Sequence, residues 1–259
     1  MGRHVARTLV VAALVGCATV PFTNRSQLVL ISSTEEATLG AQAFQEATKG
    51  RQVVVGTRAA AQVDEVGRRL AAVSGRRDFQ WQFALLQGKE VNAFALPGGK
   101  TAVYTGLLPV AADTNGLAVV MGHEIAHAIA RHGAERMSQG ALVELGGAVV
   151  GAAAGQNAGV AMAAYGLGSQ VGVMLPFSRS HEAEADRIGL ILMARAGYDP
   201  RSALAFWDRM EAQNRGGSPP QFLSTHPGYE TRRKAISYAI PEALQYYTVA
   251  QRAPVTRLE

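Results

Sequence analysis

The hydrophobic and polar positions after residue 32 follow mainly the spacing of amphipathic helices. A capping box, Ser33-Thr34-Glu35-Glu36, predicts a helix that begins there and runs to about Thr48. Apolar residues at helical spacing predict a second helix between Thr57, which can cap its start, and Gly75. The same spacing predicts further helices over residues 115–138 and 180–196, from 199 onward, and after 227. The chain is therefore expected to be mostly helical.

Strand-like patterns are confined to the stretch between the second and third predicted helices. Residues 79–85 alternate apolar and more polar side chains, which predicts a half-buried strand. Residues 91–96 and 101–105 predict two more strands, joined by the turn Pro97-Gly98-Gly99-Lys100 as a hairpin. We therefore expect an α+β fold, mostly helical, with a small antiparallel sheet.

Residues 140–175 form an unusually apolar stretch that is rich in Gly and Ala, with Glu144 as its only charge. Gly155-Gln156-Asn157 interrupts the stretch, and each piece is shorter than the ~20 residues needed to span a bilayer. We interpret it as an apolar helical hairpin that forms a lid over a cleft. Shallow contact with a bilayer, or with an unfolded client protein, is the alternative.

The first residues have the pattern of an export signal. Basic residues precede a short apolar run that ends at Leu14-Val15-Gly16-Cys17, which resembles the lipobox of bacterial lipoproteins. We predict a lipoprotein signal peptide over residues 1–16, lipidation of Cys17, and a tether over residues 17–32. Because Ala18 is not an acidic retention signal, an outer-membrane destination is favoured. The other interpretation is an ordinary signal, or a membrane-anchoring stub, with an inert Cys.

Composition excludes several classes of protein. With 259 residues, 48% of them hydrophobic, the chain has ample apolar material for a packed core, which excludes global disorder. The single Cys excludes an intramolecular disulfide framework and any zinc site built from several thiolates. Part of the formal net charge of +5 lies in the first ten residues, and the remainder has no dense Lys/Arg run. We therefore predict no nucleic-acid partner.

The segment His123-Glu124-Ile125-Ala126-His127 lies in a predicted helix. Histidines four residues apart share one helix face, so both imidazoles of His123 and His127 can reach one Zn²⁺. Glu124 lies beside that position, where a general base acting on water is needed. We predict one zinc ion per chain, with the two histidines as ligands and Glu124 as a catalytic residue. The alternative is a core helix with a histidine pair of no function.

A catalytic zinc site needs a third protein ligand. The segment that begins at Ser180 opens a helix and places Glu182 and Asp186 on one face, whereas Glu184 points elsewhere. We assign Glu182 as the third metal ligand. Asp186 is assigned as its catalytic partner, which accepts the spare N–H of a ligating histidine. The alternative is a charged, solvated first turn favoured by the helix dipole.

The pairing of these two segments, about 55 residues apart, resembles the HtpX/BepA/LoiP-type zinc metallopeptidases, relatives of the CAAX prenyl endopeptidases. The layout is most similar to that of the lipoprotein member LoiP. The resemblance runs from about Ser33 to about Ala239, and its further matching segments are Asn92–Gly99, Thr105–Leu108 and Arg131-His132. It implies a zincin-like metallopeptidase domain over residues 33–240, followed by a C-terminal tail over 241–259.

The resemblance also implies roles for the residues of the two segments. The zinc ligands are expected to be His123, His127 and Glu182, with Glu124 as the catalytic carboxylate and Asp186 as its support. A histidine in a comparable Ser-Thr-His-Pro segment of BepA-like members can occupy the fourth zinc position and block the water. His226 matches it.

Other histidines receive weaker assignments. Because a Gly/Pro loop precedes His226, it could reach the metal and also leave it; the alternative is that it caps the last helix or lines the cleft. His132 is assigned to the polar surface or to the layer behind the ligands. His181 is expected to point away from the metal.

The predicted strand over 91–96 can bind an extended peptide at a sheet edge through main-chain hydrogen bonds. We assign Asn92 and Ala93 as substrate-binding residues. The alternative is an ordinary buried hairpin.

These features together predict a periplasmic zinc endopeptidase, lipid-anchored to the outer membrane, that cleaves unfolded or misassembled envelope proteins. A regulatory envelope protein is a possible partner, and the membrane is contacted through the N-terminal lipid. Two other functions stay open. One is a non-proteolytic chaperone or assembly factor for outer-membrane proteins, and the other is a membrane-surface protein in which residues 140–175 are the functional element.

Overall fold

The structure is a computed structural model, and the residues that it describes are 17–169, 175–215, 220–226, 229–248 and 252–258. The predicted signal peptide, residues 1–16, lies outside the described residues, as does the stretch 170–174 of the apolar segment. The fold is mostly helical with small sheets, as the sequence predicts.

The described helices agree with most of the predicted ones. They are α1 Ser33–Thr48, α2 Arg58–Val73, α3 Leu108–Ala111, α4 Thr114–Ala130, α5 His132–Ala154, α6 Ala158–Ser169, α7 Leu175–Arg195, α8 Ser202–Arg215, α9 Gln221–Thr225 and α10 Tyr229–Leu244. The side chain of Ser32, one residue before the predicted box, caps α1 by accepting from the N–H of Glu35. Thr57 caps α2 as predicted, by accepting from the N–H of Ala60.

The single helix predicted over residues 115–138 is wrong, because Arg131 divides it into α4 and α5. Arg131 has a left-handed backbone, with φ 60° and ψ 32°. Such a conformation is costly for a residue with a Cβ. The guanidinium offsets this cost by donating to Glu36 at 2.6 Å and to the carbonyl of Ile31 at 2.9 Å. The break is therefore held by contacts with distant residues, which the local apolar pattern does not reveal.

The main sheet is mixed rather than antiparallel, which corrects the prediction. Its strands are β3 Val53–Val54, β4 Gln82–Leu86, β5 Ala93–Leu96 and β6 Lys100–Tyr104, in the order β3-β4-β6-β5. β5 and β6 form the predicted hairpin, and β4 pairs in parallel with β6. Because β5 takes the outer position, β4 and β6 become neighbours that run in the same direction. β5 is thus an edge strand, and it packs against α4.

Both terminal segments contact the body of the protein. β1 Cys17–Thr19 and β2 Ser26–Leu28 form an antiparallel hairpin, so the predicted tether over 17–32 contains ordered strands. Val20 between them is fully buried. In the predicted tail, Ala253 donates its N–H to the carbonyl of Gly197 at 2.8 Å. These contacts attach both segments to the domain.

The described part of the apolar segment, residues 140–169, forms the predicted helical hairpin from α5 and α6. The hydroxyl of Tyr165 on α6 donates to the carbonyl of Val143 on α5 at 3.0 Å. Large apolar side chains of this hairpin are exposed, namely Leu142, Leu145, Val149, Val160 and Met162. Among the described residues, the stretch His132–Gly166 is long and apolar enough to cross a membrane by length and composition, a test that core helices of soluble proteins also pass.

Helix α4 lies at the centre of the fold and packs closely along α7. Its side chains are buried on nearly all sides. Gly122 of α4 and Gly189 of α7 face each other at the contact. A Cβ added to Gly189 would lie 2.9 Å from the backbone nitrogen of His123. Glycine at this position therefore allows the two backbones to approach closely, directly beside His123.

Substitution of Gly189 by Ala tests the close approach of these helices. The added methyl group meets backbone atoms, which cannot rotate away, so we expect a destabilisation of about 1–3 kcal/mol. Urea denaturation of the Gly189→Ala variant measures this loss.

Gly140→Ala is the matched control, because a Cβ there meets nothing within 4 Å. It is expected to leave stability unchanged or to raise it by about 0.5–1 kcal/mol, since alanine favours helix. A Gly189→Ala variant as stable as the control would contradict the proposed steric contact.

Candidate metal centre

Four side chains from three separate elements converge beside the contact between α4 and α7. His123 and His127 lie on α4, Glu182 lies on α7, and His226 follows the short helix α9. One ligand atom from each of the four lies within 4.8 Å of the others. The structure thus brings together all four residues that the sequence assigned as metal ligands.

The distances among these atoms fit one tetrahedral ion. Nε2 of His123 lies 3.1 Å from Nε2 of His127 and 3.2 Å from Nδ1 of His226. The carboxylate of Glu182 lies 3.4 Å from Nε2 of each α4 histidine and 3.0 Å from Nδ1 of His226. Zinc bonds of 2.0–2.1 Å give a tetrahedral edge of about 3.3–3.4 Å. Ring nitrogens that point at one another repel unless a proton or a cation lies between them, so the arrangement fits a bound zinc ion.

A second layer of charged groups surrounds His123. Nδ1 of His123 lies 2.9 Å from a carboxylate oxygen of Asp186, which leaves its Nε2 to face the other ligand atoms. Arg232 of α10 donates to both oxygens of Asp186, at 2.7 and 2.9 Å, and contacts Glu182 at 3.0 Å. The side chain of Arg232 is only 3% exposed. Arg232 is therefore a buried cation that pairs with both Glu182 and Asp186.

Sequence reasoning missed Arg232. The neighbouring Arg233 has the same chemistry and points to an exposed ion pair with Asp208. Nothing in the local spacing distinguishes the two arginines, because only the packing of α10 against α7 selects which of them is buried. The ring of Trp207, 4.1 Å from the guanidinium carbon of Arg232, completes that environment.

Burial and partner charges shift the pKa values of these groups in opposite directions. Burial, the largest influence, lowers the pKa of both α4 histidines. For His123 the bonds to Asp186 and Glu182 reverse this, and its pKa rises to about 9. For His127 burial prevails and its pKa is well below the usual value. Burial raises the pKa of Glu182, but bonds to His123, His127 and His226 outweigh it, so the pKa falls. Metal binding must therefore displace a proton from His123.

Glu124 is buried between the convergent ligand atoms and the sheet edge. Its Oε2 accepts from the backbone N–H of Ala95 at 3.3 Å, and its Oε1 lies 3.3 Å from Nε2 of His226. It is not one of the four convergent residues. This position, beside the ligands and facing an edge strand, is the one that a general base requires.

The edge strand β5 presents alternate backbone groups to the cleft. Tyr104 donates its N–H to the carbonyl of Asn92, which makes these two residues a hydrogen-bonded pair of the ladder. Ladder geometry alternates, so the outward groups of β5 are those of Ala93 and Ala95. The side-chain oxygen of Asn92 accepts from the N–H of Ala93 at 3.0 Å. Ala95, which the sequence did not single out, is therefore a better candidate for peptide contact than the backbone of Asn92.

A cavity of about 390 Å³ opens beside Glu124, His127, Glu182 and His226. Its other walls include Ala95, Leu96 and Pro97 of the edge hairpin, and Arg136 of α5. Residues 140–169 contribute nothing to its lining. The described part of that segment therefore does not line this cavity, and α6 packs back on α5. The lid over residues 140–175 stays a prediction.

His132 and His181, two histidines that were not assigned as metal ligands, lie beside His127. His132 is 2% exposed, and its Nδ1 lies 2.9 Å from Nδ1 of His127. His181 points away from the convergent atoms and bonds through Nε2 to Glu135 at 2.9 Å. His132 therefore belongs to the buried layer behind the ligands and not to the surface.

Comparison with known proteins identifies the domain. The family model of Peptidase family M48 matches residues 57–240. The chain belongs to peptidase family M48. Its members are zinc-dependent metallopeptidases, so the predictions of a metalloendopeptidase and of a zinc cofactor are confirmed at the level of the family.

Curated relatives extend this match beyond the family model. Mitochondrial metalloendopeptidase OMA1 of Schizosaccharomyces pombe is 36% identical over 228 residues, which cover 86% of this chain and 66% of the relative. Metalloendopeptidase OMA1, mitochondrial, of Homo sapiens is 31% identical over 253 residues, 91% of this chain and 48% of the relative. The beta-barrel assembly-enhancing protease of Escherichia coli is 33% identical over 181 residues, 66% of this chain and 36% of the relative.

These relatives are longer than the M48 chain described here, which spans 36% to 66% of their length. They include the BepA type, which the sequence motifs predicted, and mitochondrial proteins, which the motifs did not predict. The closer likeness to LoiP stays a prediction.

Removal of Arg232 tests the charge balance of this centre. In Arg232→Gln, Glu182 and Asp186 remain buried but lose the guanidinium that pairs with both, so the metal-free protein should lose about 3–5 kcal/mol of stability. The zinc-loaded protein should lose less, because a dication beside Glu182 offsets the same charges. Chemical denaturation in a chelator and in excess zinc compares the two.

Arg233→Gln is the control, because it removes an exposed ion pair of the adjacent residue. Its effect should stay below about 1 kcal/mol in either state. If Arg232→Gln loses the same unfolding free energy with and without zinc, Arg232 does not balance the charge of the metal site.

Proposed function

We propose that this chain is a zinc-dependent endopeptidase in which His123, His127 and Glu182 hold the metal and Glu124 is the general base. The observation that carries the proposal is the convergence of imidazoles from α4 with a carboxylate from α7, with Glu124 directly beside them. Asp186 orients His123 through Nδ1, which leaves Nε2 free for the metal.

The reaction is divided between the metal and the chain. Zinc, when bound there, acidifies water and polarises a carbonyl group. Glu124 accepts the proton of the attacking water and delivers it to the leaving amine. Its present bond to the N–H of Ala95 places the carboxylate next to the strand edge, where an extended peptide would lie.

Substrate binding is proposed at the outward edge of β5. The N–H and carbonyl groups of Ala93 and Ala95 can pair with an extended peptide once their N–H groups are released by the side chains that now accept from them. These side chains are Asn92 for Ala93 and Glu124 for Ala95. Main-chain pairing of this kind favours unfolded segments and gives a loose sequence preference. This supports unfolded or misassembled proteins as the substrates.

We further propose the bacterial cell envelope as the site of action, with a lipid on Cys17 as the outer-membrane anchor. The lipobox-like Leu14-Val15-Gly16-Cys17 supports a periplasmic, anchored protein. The name of the E. coli relative supports envelope proteins as substrates, whereas other relatives are named mitochondrial. A regulatory envelope protein would act by moving His226.

A second candidate function is a non-proteolytic chaperone or assembly factor. The observation that favours it is the position of His226, whose Nδ1 lies at hydrogen-bond distance from both His123 and Glu182. If His226 permanently fills the fourth position, the metal is structural and the cleft only holds clients. The next two experiments separate the functions.

Glu124→Gln tests the general base. The variant keeps the shape and the metal ligands but cannot accept the proton, so we expect stoichiometric zinc and a fall in casein cleavage of about 10²–10⁴-fold. Zinc content and the initial cleavage rate are measured together.

Glu144→Gln, on the exposed face of α5, is the matched control and should cleave at the wild-type rate. Wild-type cleavage by zinc-loaded Glu124→Gln would refute the peptidase mechanism. If neither the zinc-loaded wild type nor the zinc-loaded His226→Ala variant cleaves casein, the chaperone function is favoured.

His226→Ala tests whether the resting site is closed. Three protein ligands are enough for a catalytic zinc with an open position, so the variant should keep its metal and cleave casein several-fold faster. Thr225→Ala, which alters the neighbouring side chain only, is the control. An unchanged or lower rate with zinc retained would show that His226 does not block the site.

A further inference from the structure

A largely buried group of charged and histidine side chains lies at the Nδ1 side of His127, whose Nε2 faces the convergent atoms. We call it the Arg25 cluster; its members are Arg25, His132, Glu135, His181 and Glu184. It joins the N-terminal hairpin to α5 and α7. None of these residues has a part in the proposed reaction.

The cluster is connected to His127 by an unbroken series of hydrogen bonds. Nδ1 of His132 lies 2.9 Å from Nδ1 of His127, and Nε2 of His132 lies 3.0 Å from Oε2 of Glu184. If His127 binds metal through Nε2, its proton is on Nδ1 and is donated to His132. His132 then carries its own proton on Nε2 and donates it to Glu184. Each donor meets an acceptor, and only one tautomer of each ring satisfies the series.

Arg25 holds the far end of this series. Its Nε donates to Glu184 at 2.8 Å, and its two terminal nitrogens donate to Glu135 at 2.9 and 2.7 Å. Two carboxylates this close would repel each other without the shared cation. His181, stacked on His132 at a ring distance of 4.3 Å, bonds to the second carboxylate and limits the movement of the His132 ring.

Hydrogen bonds fix both carboxylates of the cluster in place. The oxygens of Glu184 accept from Thr23, Arg25 and His132. Those of Glu135 accept from Arg25 and His181. Glu184 is therefore held as the acceptor that faces the ring of His132.

We propose that Arg25 is a positioning residue for the metal centre, acting through Glu184 and His132 on the ring of His127. The inference deepens the proposed function, because it rests on His127 as a ligand. Arg25 belongs to the turn between β1 and β2, eight residues after Cys17, so the N-terminal hairpin is a part of the metal site's support.

Zinc affinity measured by chelator competition tests this role without any substrate. Arg25→Gln should weaken zinc binding by about 10–100-fold, the usual effect of losing a group behind a ligating histidine. The visible absorption of bound Co²⁺ should also change, since it reports ligand geometry. Arg187→Gln is the matched control. Arg187 lies on α7, as Glu184 does, and forms a bidentate ion pair with Glu242 of α10. Among the described contacts, this pair has no hydrogen bond to a metal ligand. Its affinity and spectrum should equal those of the wild type.

A double-mutant cycle tests whether Arg25 acts through His132. His132→Phe keeps the stacked ring but removes the acceptor for His127. If the proposal is right, adding Arg25→Gln to His132→Phe weakens binding little further. Full additivity of the two losses, or an unchanged zinc affinity in Arg25→Gln, would overturn it.

Folding is followed by circular dichroism of the metal-free variants at the assay temperature. Arg25→Lys keeps the positive charge but not the planar guanidinium, so it should lose less zinc affinity than Arg25→Gln. If Arg25→Gln does not fold, Arg25→Lys is used in its place.

Casein cleavage separates this inference from the proposed function. An active protease with unchanged affinity in the Arg25 variants overturns this inference alone, whereas an inactive wild type with the expected affinity losses overturns only the proposed function.

Discussion

The close contact between Gly122 of α4 and Gly189 of α7 sets the geometry on which the site depends. One helix carries the imidazoles and the other carries the carboxylates, so their separation decides whether the ligand atoms can share one ion. The ideal tetrahedral zinc site has ligand atoms about 3.3–3.4 Å apart. Glu182 and Asp186 lie two turns and one turn before Gly189, on the same helix face. The contact between the two glycines in the core therefore determines the distances between the metal ligands of α4 and α7.

The second constraint is charge. Glu124, Glu182 and Asp186 are all buried, and Arg232 contacts two of them. Buried carboxylates are costly unless they are paired. Glu124 has only the N–H of Ala95 and the ring of His226 within reach among the described contacts. A divalent cation between the imidazoles adds the positive charge that this set of acids lacks, which is a physical reason for a metal there that is independent of the family.

The features that could be predicted from the sequence are those that lie within one helix. The spacing of His123 and His127, and that of Glu182 and Asp186, fixes which side chains share a face, and the structure brings these faces together. The features that could not be predicted are contacts between distant elements. Arg232 and Arg233 are equivalent in sequence, and the parallel pairing of β4 with β6 depends on where β5 inserts. The break at Arg131 depends on Glu36, almost a hundred residues earlier.

The two α4 histidines are supported from opposite ends of the chain. His123 is held by Asp186 and Arg232, on helices that follow it, whereas His127 is held through His132 and Glu184 by Arg25, which precedes it. Residues 57–240, which the family model matches, contain the convergent side chains and the support of His123. They do not contain Arg25. The geometry of His127 therefore depends on a segment outside the matched region, and that segment follows directly after the residue proposed to attach this chain to the membrane.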